Sequence, residues 1–475
     1  MRYTAIALDF DGTIAHDSVV PEHVVDGLKR LKDTGRKLIL DTGRELPELL
    51  SIFPPIALFD RVVAENGALL YRPDTGEKKG LGEPPPPELV ALLRARGVPV
   101  SVGDSIVATV EPHENAVLQA IRELGLERPV IFNKGAVMIL PPGVNKASGL
   151  AAALRELGLS PRNLVAAGDA ENDHALLDMA EYSVAVANAI PTLKAVADRV
   201  TLEPRGDGIL EVVADLVDHD LANRPPVRER RRLAIGKDLA GAVVCMPAAN
   251  ASALVTGRAK TGKSALVRGM LERLCEAGYQ FCVVDGRGEY LDFEPAVVFG
   301  TPDHKPDTLE IFTALEKPDV QAVVCLAAVP PRERPAFFES FLLGLKGLRE
   351  KTGRPHWLVV DEAQELLPRT ELEREAAPAQ NTVYVTQDPA NVSAAILAHV
   401  GAVIACGADA KQAMEKFAAL LAQGAPAQAP RAPAEGEALA WFHRSEPTPR
   451  LIAFTPGTSK RRAIREDVGR LLRRA

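Results

Sequence analysis

The sequence predicts an α/β protein built from two parallel-sheet units. The first is Rossmann-like with an α+β insertion, and the second is a RecA-like unit formed around a P-loop. Three observations lead there. Short apolar runs alternate with amphipathic helix-like segments from the start of the chain. Acidic residues stand where those runs end. Near the middle, a glycine-rich turn carrying Lys263 and Ser264 follows an apolar run and opens a helix-like segment.

Taken in order, Thr4-Ala5-Ile6-Ala7-Leu8 reads as a buried strand ending at Asp9. Pro21 to Lys32 reads as a helix with Val24, Leu28 and Leu31 on one face. Lys37 to Leu40 reads as a second strand, closed by Asp41-Thr42-Gly43. Ligands of such sheets sit at the carboxyl ends of the strands, where Asp9 and Thr42 fall. Residues from about 61 to 141 mix short strands with the helices 87–96 and 114–124, which reads as an inserted cap. The parallel pattern resumes at 163–168 and fades near residue 220. Residues 221–232 carry Pro225-Pro226 and several arginines, a solvated linker or a phosphate-contacting stripe. A second unit is expected over 233–457, followed by a basic helical tail over 458–475.

The 475 residues suffice for two to four domains. A 47% hydrophobic and 25% charged composition suits globular cores. The formal charge of -7 argues against indiscriminate coating of nucleic acid, though not against a local basic surface. Five cysteines, an odd number without a CxxC pair, disfavour a disulfide framework or a zinc site. With no membrane span and no leader pattern ahead of the first strand, a cytoplasmic location is expected.

Asp9-Phe10-Asp11-Gly12-Thr13 puts two carboxylates two positions apart just past a buried strand. Asp9 is suited to attack phosphorus and form an aspartyl-phosphate. Asp11 is suited to protonate the leaving oxygen and then activate water. Thr42 can donate to a phosphoryl oxygen, and Lys146 can neutralise the nucleophile and the transferring group. Gly168-Asp169-Ala170-Glu171-Asn172-Asp173 ends a later strand with further acids. Asp9, Asp169 and the Asp11 backbone carbonyl form a hard-oxygen set for Mg²⁺, and Asp173 supports the metal shell or Lys146.

These motifs resemble the haloacid dehalogenase superfamily, in its Cof-type branch (subclass IIB), over roughly residues 1–220. Ala64-Glu65-Asn66-Gly67-Ala68, Asn188 to Lys194 and Gly206-Asp207-Gly208 resemble that branch's further motifs. The resemblance implies a phosphatase with a small phosphorylated substrate, with Arg44 and Asn172 facing it. A cap this short resembles that of archaeal-type phosphoglycolate phosphatases.

Gly257-Arg258-Ala259-Lys260-Thr261-Gly262-Lys263-Ser264 fits the P-loop pattern. Backbone N–H groups of such a loop cradle phosphates, including those beside Gly257, Thr261 and Gly262. Lys263 would reach the β- and γ-phosphates and Ser264 would bind Mg²⁺. Asp361, at the end of Trp357 to Val360, would hold the metal shell, and Glu362 would polarise the attacking water. With Asp285 to Tyr290 and Thr386-Gln387, this half resembles the HerA/FtsK-like ATPases. The resemblance implies ATP as a ligand, Gln387 as γ-phosphate sensor, hexameric self-association and nucleic acid as a further partner. Asp388 stands where that family often has arginine. Arg461, Arg462 and Arg465 are candidates for a DNA or subunit contact, or a solvated helix face. Two other organisations fit the same motifs: a polynucleotide kinase–phosphatase, and an ATP-gated assembly scaffold.

Overall fold

Apolar four- to five-residue runs can bury both faces only inside a sheet covered by helices, and that is where this chain puts them. The computed structural model describes residues 1–133, 135–227, 231–248, 251–369, 381–427 and 431–454, with Asn133 described for its backbone alone. The chain divides into two units, Met1–Arg228 and Glu229–Ala475.

The first unit contains strands β1 (Ala5–Leu8), β2 (Lys37–Asp41), β3 (Arg61–Ala64), β4 (Leu69–Arg72), β5 (Glu77–Gly80), β6 (Ser101–Val102), β7 (Val107–Val110), β8 (Val130–Asn133), β9 (Ala136–Ile139), β10 (Leu164–Gly168), β11 (Tyr182–Ala185) and β12 (Arg199–Val200). One sheet runs β12-β11-β10-β1-β2-β3-β4-β5, parallel from β12 to β3. Its central register aligns Leu8 with Leu40 on one side and with Ala167 on the other. The next register position is therefore Asp9, Asp41 and Gly168, and Thr42 and Asp169 come one residue further along their strands' ends. Ile6, Leu8, Leu38 and Leu40 are fully buried, each contributing roughly 1.5–3 kcal/mol through loss of apolar surface.

The insertion is smaller than the sequence suggested. Residues 61–80, expected in the cap, form β3 and the hairpin β4–β5 and belong to the core sheet. The cap proper is the antiparallel sheet β6-β7-β9-β8 with helices Pro87–Ala95 and Glu114–Glu123. Leu89, Leu93, Val117 and Ala120 pack on Val107, Val137 and Ile139. The other cap face gathers Ile106, Met138 and Leu140 with Ala68 and Val144 of the core.

The second unit contains β13 (Arg232–Asp238), β14 (Val243–Pro247), β15 (Ser252–Thr256), β16 (Phe281–Asp285), β17 (Val297–Phe299), β18 (Ala322–Cys325), β19 (Trp357–Val360), β20 (Thr382–Thr386), β21 (Ala402–Cys406), β22 (Glu437–Trp441) and β23 (Arg450–Ala453). They form one sheet, β14-β13-β23-β22-β21-β15-β20-β19-β16-β18-β17. The stretch from β21 to β17 is parallel, and the strands beyond β21 are antiparallel. The linker reading fails at its end. Arg231 is buried and Arg232 opens β13, whereas the tail residues Arg461, Arg462 and Arg465 lie outside the described residues. Among the described residues, all five cysteines are free and no helix is long and apolar enough to cross a membrane.

Candidate active site

The site in the first unit is assembled by strand ends and one helix start. Helix Lys146–Leu157 begins with a capping box, in which Asn145 accepts from the Ser148 N–H at 2.9 Å and Ser148 Oγ accepts from the Asn145 N–H at 3.0 Å. This fixes the first turn and drives Lys146 into the sheet. Its Nζ donates to Asp9 Oδ1 at 2.6 Å and to Asp173 Oδ1 at 2.7 Å, with no solvent exposure of the side chain. The other Asp173 oxygen accepts the backbone N–H groups of Asp169 and Ala170 at 2.9 and 3.0 Å. Gly168 makes that turn possible, because a Cβ there would lie 2.5 Å from the Asp173 side chain.

Burial pushes the Asp9 carboxyl up to about 7, with Asp173 adding to the effect and Lys146 opposing it. Burial works against the charge on Lys146, but Asp173 and Asp9 outweigh it and hold the ammonium above the usual lysine range. Asp9, Asp169 and Asp173 each offer an oxygen within 4.8 Å of the others. Three buried hard-oxygen ligands around one point fit a divalent cation such as Mg²⁺.

Asp11 lies apart from that trio. Arg44 Nε and Nη2 grip its carboxylate, each at 2.7 Å, and Nη2 also reaches Ser18 Oγ at 2.7 Å. Arg44, expected to face a substrate, therefore engages the residue expected as acid/base. Thr42 is buried, and its hydroxyl accepts the Arg44 N–H at 3.2 Å. Asn172 donates to Asn66 Oδ1 at 2.9 Å, and the Asn66 amide contacts Met138 of the cap at 3.6 Å. Glu65 accepts the Asp104 and Ser105 N–H groups at 2.9 and 2.8 Å, tying core to cap. The later motif also closes on the site, since Asn188 donates to the Gly12 carbonyl at 2.8 Å.

In the second unit, Gly262 precedes helix Lys263–Glu276, and Gly257 sits at φ +146° where a Cβ would meet the Cys406 carbonyl at 2.4 Å. Lys263 Nζ donates to the Arg258 carbonyl at 2.9 Å, as does the Thr261 hydroxyl at 2.8 Å. The Ser264 hydroxyl donates to Glu289. Asp361 is buried with Oδ2 unpartnered, and burial together with Asp285 raises its carboxyl well above the usual range. Glu362 has left-handed backbone (φ +51°) and pairs with Arg287 at 3.1 Å, a partner the sequence did not reveal. Gln387 directly follows β20, which lies between β15, the strand leading into Gly257, and β19, the strand leading into Asp361. Asp388, where the resemblance suggested arginine, caps the next turn through the Ala390 N–H and pairs with Lys416.

Residues 6–84 and 105–213 match the model of the haloacid dehalogenase-like hydrolases. The phosphoglycolate phosphatase of Methanothermobacter thermautotrophicus is 32% identical over 219 residues, covering 44% of this chain and 96% of that one. That of Haloarcula marismortui is 32% identical over 223 residues, covering 45% and 97%. A solved haloacid dehalogenase-like hydrolase of Bacteroides thetaiotaomicron is 19% identical, covers 45% of this chain and 99% of its own, and superposes with a TM-score of 0.40.

Proposed function

Since the chain belongs to the haloacid dehalogenase-like hydrolases through residues 6–84 and 105–213, we propose that its first unit is a Mg²⁺-dependent, Cof-type phosphatase of small phosphomonoesters. The observation that carries this reading is the seat of Lys146, 2.6 Å from Asp9 and 2.7 Å from Asp173, beside Asp169. An ammonium there neutralises both a nucleophilic carboxylate and the arriving phosphoryl group.

Asp9 attacks phosphorus, and the bond to the leaving oxygen breaks as Asp11 protonates it. Water, activated by Asp11, then cleaves the aspartyl-phosphate and restores Asp9. Thr42 donates to a phosphoryl oxygen. Arg44 holds Asp11 in place by its two-pronged grip. Asp9, Asp169 and the Asp11 carbonyl would hold Mg²⁺, with Asp173 behind them. When bound, the cation would supply charge neutralisation at the phosphoryl oxygens. Phosphoglycolate is a first substrate to try, because the curated relatives carry that activity. A screen of phosphorylated metabolites, nucleotides and DNA 3′-phosphate ends tests the reading. Failure to release phosphate from any of them would count against it.

For the second unit we propose ATP binding and hydrolysis by a HerA/FtsK-like P-loop domain. Support comes from the strand order, which sets Gln387 between Lys263 and the Asp361-Glu362 pair, and from the unpartnered Asp361 oxygen. A hydrolytic role is favoured over a kinase role because Glu362 follows Asp361 at a strand end. Release of labelled γ-phosphate to water supports this, and its transfer to a DNA 5′ end would contradict it.

A further inference from the structure

Between β3 and β4 the chain turns through three residues in the left-handed region, Glu65 (φ +54°), Asn66 (φ +56°) and Gly67 (φ +99°). Glu and Asn hold that conformation only where the surroundings fix it. The Glu65 and Asn66 N–H groups donate to the Arg44 and Thr42 carbonyls, each at 3.0 Å. Gly67 packs on the start of the Lys146 helix, where a Cβ would lie 1.9 Å from the Asn145 carbonyl oxygen. The turn thus touches the backbone beside Thr42, Arg44 and Lys146. Its two side chains, both fully buried, meet the cap. Glu65 accepts the Asp104 and Ser105 N–H groups at 2.9 and 2.8 Å, and the Asn66 amide lies 3.6 Å from Met138 Sδ. Gly103 leaves room for the Glu65 carboxylate, since a Cβ there would lie 2.7 Å from Oε1.

We propose that Glu65 is a specificity-determining positioning residue, a clamp that seats the cap so that Met138 closes the site against the alcohol part of the ester. The inference rests on the phosphatase reading above. Met138 stands on β9 of the cap, and a Cβ on Gly43, next to Thr42, would lie 3.7 Å from its sulfur. The same point is 3.6 Å from Asn66 Oδ1 and 3.8 Å from Asn172 Nδ2. An apolar cap side chain and two amides therefore meet beside the segment assigned to the phosphoryl group. The transfer itself belongs to core residues, so the leaving alcohol is the part that meets this wall. Apolar contact of Ile106, Met138 and Leu140 with Ala68 and Val144 holds the cap down but is not directional. The two Glu65 hydrogen bonds are directional and set where the wall stands. With the cap so seated, the favoured substrates are monoesters with a small alcohol part.

The test uses the full chain with Mg²⁺ and two aryl esters of similar leaving-group acidity, p-nitrophenyl phosphate and the bulkier 4-methylumbelliferyl phosphate. Wild type is compared with Glu65→Gln, which turns one acceptor into a donor, and with Gly103→Ala, which crowds the same carboxylate from the cap side. In both variants kcat/KM for the bulkier ester, relative to the smaller, is expected to rise by about tenfold or more, because a loosened wall admits bulk. An unchanged ratio, with both esters losing alike, would mark Glu65 as merely structural and overturn the proposal. Hydrogen exchange of the Asp104 and Ser105 amides reads the clamp without turnover. It should speed up by about tenfold or more in Glu65→Gln while the amides of β10 stay protected. Exchange unmoved at those two amides, or raised equally in β10, also overturns it. Wild type that released phosphate from neither ester would instead sink the phosphatase reading, and the specificity role with it.

Discussion

Lys146 Nζ and Asp9 Oδ1 meet at 2.6 Å across 137 residues of sequence, both buried, with Asp173 completing the set. Such a pair is more informative when broken than when counted. Removing one partner leaves uncompensated charge in a low-dielectric site, which costs about 3–5 kcal/mol. Lys146→Met, close in shape but uncharged, is therefore expected to lose stability on that scale in chemical denaturation and to lose turnover. Unchanged denaturation would mean that the carboxylates find another counter-ion.

The pH dependence of the metal-free protein follows from Asp9. Its folded carboxyl lies at about 7, above the unfolded value of 3.8. The folded state holds the proton more tightly, so ionising Asp9 costs stability as pH rises between those values. Without metal, Tm of wild type should fall relative to Asp9→Asn as pH goes from about 5 to about 8. Added Mg²⁺ should narrow the gap by binding the folded state. A pH-independent gap would mean that Asp9 is ionised throughout.

Gly168→Ala tests the turn that shapes the acidic trio. The new Cβ would lie 2.5 Å from an Asp173 side chain already fixed by Lys146 and two backbone N–H groups. Overpacking of this kind costs about 1–3 kcal/mol, and the displaced carboxylate should weaken Mg²⁺ activation in titrations of phosphatase rate. Wild-type Mg²⁺ dependence would show that the turn has room to spare.

Much of this site was legible because buried strands announce themselves as apolar runs and their ends carry the chemistry. Asp9, Thr42 and Asp169 each stand at the end of such a run, and the register of Leu8 with Leu40 and Ala167 brings those ends to one edge of the sheet. The hairpin β4–β5 was not legible as part of the core. Its outer strand, Glu77-Lys78-Lys79-Gly80, is fully exposed and charged, as suits a sheet edge, and gives no apolar signal. Asp41 was read only as part of the close of the second strand, because nothing in sequence marks which strand-ending acid is buried without a partner. The Arg287–Glu362 pair depends on how two loops face each other, which spacing does not encode.

The nucleotide site proposed for the second unit carries a separate expectation. Lys263→Ala should weaken binding of a fluorescent ATP analogue by about tenfold or more, since in the proposed reading this lysine would meet the β- and γ-phosphates. Equal affinity in the variant would refute nucleotide binding at this loop.

The most direct measurement is hydrolysis of p-nitrophenyl phosphate with Mg²⁺ by wild type and by Asp9→Asn. Asp9→Asn removes the carboxylate proposed as nucleophile while keeping the shape of the side chain. Turnover by wild type and its loss in the variant, with Tm retained, is the expected result. Full Mg²⁺-dependent turnover by Asp9→Asn would contradict the assignment of Asp9 as the attacking carboxylate.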